Sequence, residues 1–199
     1  MRRLLLLLVT VALAGCSTIG GGPPPARTYR LAYPPPAPAG TAPIGIIRVG
    51  PFATAQVYDR QGFVFRDGTY EVGVDPYNGW IAAPAAMFAD LLARDLAAAG
   101  TASAVIQAAS ALPADYELGG QIEEIVETDA GGCTALLRVR VLLVRIHERG
   151  PRQIAFEEVF ESSQPCTPND PASFAEAMSL AAAEVSAAVR ARMQGVGVL

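Results

Sequence analysis

Eight of the sixteen prolines fall between residues 23 and 43, in the runs Pro23-Pro24-Pro25 and Pro34-Pro35-Pro36 with Pro38 and Pro43 behind them. Proline lacks the N–H that a helix interior or a central strand needs, so this stretch can be neither. A packed body must come from residues 44–199. In a chain of 199 residues that amounts to one domain with a tail. With Gly20-Gly21-Gly22 ahead of it, the proline-rich stretch reads as a stalk. Polyproline II rises about 3.1 Å per residue, so Cys16 to Tyr29 spans roughly 40 Å when extended. Between the proline runs, Tyr29, Leu31 and Tyr33 alternate with Arg30 and Ala32, the period of a short strand.

Upstream of the stalk, Met1-Arg2-Arg3 precedes the apolar run 4–14. Hydrocarbon about 30 Å thick takes roughly 20 residues to cross, so this run is too short to span it and reads as a secretory signal peptide over 1–15. Leu13-Ala14-Gly15-Cys16 resembles the bacterial lipobox, in which the cysteine thiol receives a diacylglyceryl group and the new amino terminus an acyl chain. The alternative is an ordinary signal peptide with a chance cysteine. Several acyl chains hold a protein to a membrane where one holds it marginally. By analogy with sorting rules in which aspartate after the cysteine retains a lipoprotein in the inner membrane, Ser17 favours the outer one. No later stretch reaches 18 apolar residues without proline or charge. The expected layout is therefore a lipidated Cys16 and stalk over 16–43, then a single periplasmic domain over 44–199.

All fifteen cations are arginine, against nineteen acids, and the net charge is −4. A nucleic-acid binder would show a clustered basic face, and none is present. The absence of lysine also excludes a phosphate-loop lysine and a Schiff base. Hydrophobic residues make up 51% of the chain, which excludes disorder.

Beyond Pro43 the periodicities predict strands at 44–49, 63–65 and 69–74, with Asp67-Gly68 as a tight turn and 75–79 as a loop. A helix opens near Pro84, burying Phe88, Leu91, Leu92 and Leu96, with Gly100 to end it. Strands come next at 104–108, 116–126 (where Gly119-Gly120 suggests a bulge), 136–146 and 153–162. Asp170 as N-cap and Pro171 at the first position open a long last helix. Its buried stripe is Phe174, Ala177, Met178, Ala181, Val185, Ala188 and Val189, and Arg190 and Arg192 suit its last turn. The order β-β-β-α-β-β-β-β-α points to an α+β fold: a mixed, largely antiparallel sheet with two main helices packed on one face.

With Cys16 lipidated, Cys133 and Cys166 remain, and an even remainder in an exported protein suggests a disulfide. A hairpin turning at Arg149-Gly150 places Cys133 opposite Cys166 and Arg138 opposite Glu161. The same register puts Val139, Val141 and Leu143 on the face of Phe160, Glu158 and Phe156, where the charge at Glu158 is the weak point. Two reduced, buried thiols are the alternative. Two cysteines and one distant histidine cannot fill a tetrahedral zinc shell, so no metal site is expected.

Catalytic signatures are missing: no G-x-S-x-G elbow, no phosphate loop and no H-E-x-x-H. His147, the one imidazole, reads as a solvated turn residue. Glu123, Glu124 and Glu127 are close enough in sequence to suggest paired carboxylates, but strand alternation and rim charge explain them. Asp75 and Asn78 fall short of the oxygen count of a calcium loop. The chain is not expected to be an enzyme. Its conspicuous segment is 56–80, where Tyr58, Phe63, Phe65, Tyr70, Tyr77 and Trp80 sit among Arg60 and Arg66. Aromatic residues and arginine are the types enriched at interfaces, which makes Tyr58, Arg60, Phe63, Phe65, Arg66 and Trp80 candidate partner-binding residues. The alternative is that Phe63 and Phe65 face the core and Trp80 staples the following helix.

Taken in order, these features resemble the ABC-type transport auxiliary lipoprotein family. The residues that carry the resemblance are Leu13-Ala14-Gly15-Cys16, Tyr29-Arg30-Leu31, Ile46 to Pro51, Tyr58-Asp59-Arg60, Phe63-Val64-Phe65-Arg66-Asp67-Gly68 and Trp80 ahead of a helix with Leu91, Leu92 and Leu96. Where many relatives carry a longer polar stretch before the tryptophan, this chain has Asp75-Pro76-Tyr77-Asn78-Gly79. The resemblance implies an accessory subunit of an MCE-type ABC lipid-transport system, held at the periplasmic face of the outer membrane by the acyl chains on Cys16. Its expected partners are an MCE-domain protein, the membrane through the anchor and further copies of itself. No other cofactor is expected. The alternative is a lipoprotein that itself carries a lipid or other apolar ligand between sheet and helices. No peptidoglycan-binding motif is recognisable.

Overall fold

A computed structural model describes residues 25–129, 132–146 and 150–196. Cys16, Ser17, the lipobox, His147 and Arg149 lie outside the described residues. The strands are β1 (Arg27–Tyr29), β2 (Ile46–Thr54), β3 (Gly62–Asp67), β4 (Glu71–Trp80), β5 (Ala104–Gln107), β6 (Tyr116–Thr128), β7 (Thr134–Arg145) and β8 (Gln153–Pro165). Helix α1 (Pro84–Ala98) separates β4 from β5, and α2 (Pro171–Gln194) closes the fold. This is the α+β architecture that the periodicities imply. All eight strands join one mixed sheet whose longest ladders, β6–β7 and β7–β8, are antiparallel.

The sheet forks at β6. One edge of β6 pairs with β7 along its whole length. The other edge is divided: residues 116–122 pair in parallel with β2, which continues to β5, while Glu127 and Thr128 pair in parallel with Phe65 and Arg66 of β3. From β3 the sheet goes on to β4 and, at the far end of β4, to β1. Both helices cover one face, joined to each other by a hydrogen bond from Ser186 Oγ to Asp95 Oδ2 (2.6 Å).

Local chemistry accounts for the element ends. Asp170 accepts from the backbone N–H groups of Ala172 and Ser173 at 3.0 and 3.2 Å, and Pro171 occupies the first position, where no N–H is needed. The β7–β8 register is the one read from the hairpin: Val139, Val141 and Leu143 face Phe160, Glu158 and Phe156, and Arg138 faces Glu161, with which it forms an ion pair. Cys133 and Cys166 are joined as a disulfide across the open end of that hairpin. Glu158 does not put its charge into the core, because β8 is an edge strand and Arg192 reaches over from α2 to meet it at 2.9 Å.

Several expectations need correction. The first strand is Arg27–Tyr29, not 29–33; Leu31 is buried and Tyr33 part-buried, but outside any ladder. The turn after Asp67 has three residues rather than two, with Gly68 at φ 63°. The expected loop 75–79 is a bulge inside β4: the Asp75 carboxylate accepts from the N–H groups of Tyr77 and Asn78 at 2.7 and 3.0 Å while the strand continues. The bulge expected at Gly119-Gly120 is present, with its extra residue on the other strand: Gly50 and Pro51 of β2 face the single Gly119. Gly120 makes room, since a Cβ there would lie 2.2 Å from the Arg140 carbonyl oxygen and 2.7 Å from the Phe52 ring. On α2, Ala188 is exposed rather than part of the stripe.

Helix α2 is the one described helix long and apolar enough to cross a membrane, at a mean hydropathy of 1.2. Its apolar residues Phe174, Met178, Val185, Val189 and Met193 are spent on the core, however. Phe174 sits 4.9 Å from the Phe63 ring and 6.0 Å from Trp80. We expect Phe174→Ala to cost about 3–5 kcal/mol in urea unfolding, as for other large aromatic deletions from cores, while Ala188→Ser stays within about 0.5 kcal/mol.

Candidate functional site

The end of the sheet that carries the β3–β4 turn extends beyond the cover of α2. Phe63 and Phe65, two residues apart on β3, point to the same face. Phe63 lies under the first turn of α2 and is buried, whereas Phe65 lies past the helix end and is 42% exposed. The Phe65 ring covers Gly73 on β4, in the space a side chain there would fill. Around it opens a cleft of about 430 Å³, walled by β3 and β4, the end of β6 and the turn into α2.

The cleft is lined by carboxylates: Asp67, Asp75, Glu127, Asp129 and Asp170. Arg66 also borders it, but its guanidinium is held by Glu124 at 2.9 Å. Burial pushes the Glu127 carboxyl above its ordinary range, and the charges of Asp75 and Asp129 add to the effect. The Asp129 charge likewise raises Asp67, with a shared hydrogen bond contributing. Glu127 Oε1 lies 3.4 Å from the Cys133 sulfur, which is half of a disulfide and has no proton to donate. Among the described residues, no group of His, Cys, Asp or Glu is placed to hold a metal ion.

The structure divides the residues that composition singled out as an interface. Phe65 and Arg66 line the cleft, and Arg60 is exposed in the turn before β3. Tyr58, Phe63 and Trp80 do not belong to a surface. Trp80 packs at 4.6 Å from Phe63 and 6.0 Å from Phe174, which ties it to the start of α2. Tyr58 is buried close to the Arg66–Glu124 pair. Nothing in the sequence gathers Asp67, Asp75, Glu127, Asp129 and Asp170 into one cleft, because the pairing of β3 with β6, between residues some sixty apart, leaves no local trace. Glu123 and Glu124 are paired with Arg140 and Arg66.

The raised carboxyls bind protons more tightly folded than unfolded, so their mutual repulsion lowers stability as pH rises from the ordinary carboxylate range through their raised values. Asp129 presses on both. We expect Asp129→Asn to raise the urea midpoint at pH 7, and the gain to vanish below about pH 3, under the ordinary carboxylate range.

Solved structures share this fold. A protein from Xanthomonas campestris, XCC0632, superposes with a TM-score of 0.69 at 19% identity, covering 88% of this chain and 94% of its own. The hypothetical protein CT253 from Chlamydia trachomatis gives 0.53 at 16% identity, over 77% of this chain and 98% of its own. No curated protein matches the chain. The model of the ABC-type transport auxiliary lipoprotein component matches residues 29–190, which takes in β2 to β8 and most of α2. The chain belongs to the ABC-type transport auxiliary lipoprotein family.

Proposed function

We propose that this chain is the outer-membrane-anchored, periplasmic auxiliary subunit of an MCE-type ABC lipid-transport system, and that its work is docking. The observation that carries the reading is the family match across residues 29–190, directly behind a lipobox at Leu13-Ala14-Gly15-Cys16. Acyl chains on Cys16 fix the protein to one membrane, the stalk sets its reach, and the body receives a partner that bridges from the inner membrane. Energy coupling falls to partners, since the sequence carries no phosphate-binding loop.

The geometry favours docking over carriage of a lipid. The cleft around Phe65, about 430 Å³, is open to solvent and lined with carboxylates, where a carried acyl chain needs an enclosed apolar chamber. A smaller groove of about 270 Å³ between α1 and β2 is apolar but equally open. The face of the sheet away from the helices is laced with ion pairs, including Arg140–Glu123 at 2.7 Å and Arg152–Glu117 at 2.9 Å.

Tagged protein solubilised from membranes should retrieve an MCE-domain protein, and recovery without one refutes the partnership. Labelled palmitate should enter the wild-type chain and not Cys16→Ser, with the variant released from envelope fractions. Equal labelling or equal retention of the two refutes the anchor.

A further inference from the structure

We infer that the pole bearing the β3–β4 turn rests on the bilayer that holds the anchor, with Tyr70 in the headgroup layer; this rests on the lipidation of Cys16 proposed above. β1 runs parallel to β4, with Arg27 opposite Asn78 and Tyr29 opposite Trp80. The chain ahead of Arg27 therefore leaves β1 toward the start of β4, which is toward the turn at residues 68–70. β4 is bulged between Asn78 and Val74, so the distance is read on β3, where Gly62 to Asp67 faces Gly79 to Glu71: five residues, about 17 Å at 3.3 Å each. Eleven residues separate Cys16 from Arg27, a contour of about 34 Å at polyproline II spacing. The chain between anchor and body is thus long enough to reach past the turn. That reach lets this pole meet the membrane surface, while the opposite pole, with Ile154 at the start of β8, points away.

The surface at that pole has the composition of an interfacial contact. Tyr70 is 94% exposed at the tip of the turn, and Val72 and Phe65 stand exposed behind it. A tyrosine couples an apolar ring to a hydroxyl and settles where hydrocarbon meets water. The flanking carboxylates select the kind of membrane. Asp67, Glu71 and Asp129 repel anionic lipid but meet the ammonium groups of phosphatidylethanolamine and phosphatidylcholine. The occupant is a zwitterionic phospholipid surface, and contact with it orients the body rather than holding it.

Fluorescence quenching tests the placement in the acylated full-length chain. The parent protein supplies the baseline, since its single tryptophan, Trp80, is 2% exposed. Tyr70→Trp and Ile154→Trp, the latter at a site 66% exposed, are each reconstituted into phosphatidylethanolamine/phosphatidylcholine vesicles with and without bromine on the upper acyl carbons. We expect the emission added at position 70 to fall at least twofold with bromine, and that at position 154 to stay unchanged. With acylation of Cys16 verified by mass spectrometry, an unquenched position 70, or stronger quenching at 154, overturns the placement and leaves the turn to a protein partner. A chain without acyl groups overturns the anchoring reading itself, and this placement with it.

Discussion

The fold depends on β6 being hydrogen-bonded along both edges. Its thirteen residues give β7 a complete antiparallel partner on one side and split the other side between β2 and β3. Leu118, Ile122, Ile125 and Val126 are buried along its length, so the strand is fixed by packing as well as by its ladders. The split is what creates the cleft: the second half of β6 carries the β3–β4 hairpin beyond the helices, and there Phe65 comes to lie opposite Glu127. These parallel joins close long loops, whereas β6–β7–β8 is a local meander. The meander is the natural template, and the hairpin is set against it.

A second constraint ties the stalk to the body. Asp95 is buried within α1, at 1% exposure, where an unpaired carboxylate would be costly. Three groups from three segments compensate it: the Tyr33 hydroxyl at 2.9 Å, the Ser186 hydroxyl of α2 at 2.6 Å and the neighbouring Arg94 guanidinium at 2.7 Å. Arg94 also donates to the Tyr33 carbonyl and lies over the Tyr33 ring. Burial and the Asp95 charge together hold the Tyr33 hydroxyl well above its ordinary range, so it stays a donor. Tyr33 is thereby tied to both helices through one buried carboxylate.

What was legible in the sequence was local. The β7–β8 register came from alternation and one turn, and reached as far as the facing of Cys133 and Cys166 and of Arg138 and Glu161. The start of α2 came from Asp170 and Pro171, because capping is settled within four residues. The fates of Phe63 and Phe65 were not legible. A period of two says that both point the same way, but not that α2 begins over one and short of the other. Asp75-Pro76-Tyr77-Asn78-Gly79 was a loop by composition and a strand by context: the Asp75 carboxylate satisfies the N–H groups that a bulge leaves over, and the ladder resumes at Gly79. Asp95 gave no signal at all, since its partners lie 62 and 91 residues away.

The distribution of charge narrows where an auxiliary component of this shape can be engaged. On the outer face of the sheet, Arg138, Arg140 and Arg152 are each committed to a glutamate across the strands, so a partner landing there would have to break pairs for little return. The helix face is taken up by the core. At the β3–β4 end the balance is different: carboxylates crowd one another around an exposed phenylalanine, and the guanidinium beside them is engaged by Glu124. That end holds charge left uncompensated by the fold, next to apolar surface left uncovered by it. With the bilayer placed at that end, as proposed above, the surface left for a partner is the opposite pole, where β6 begins and β7 ends, or the flank along β8.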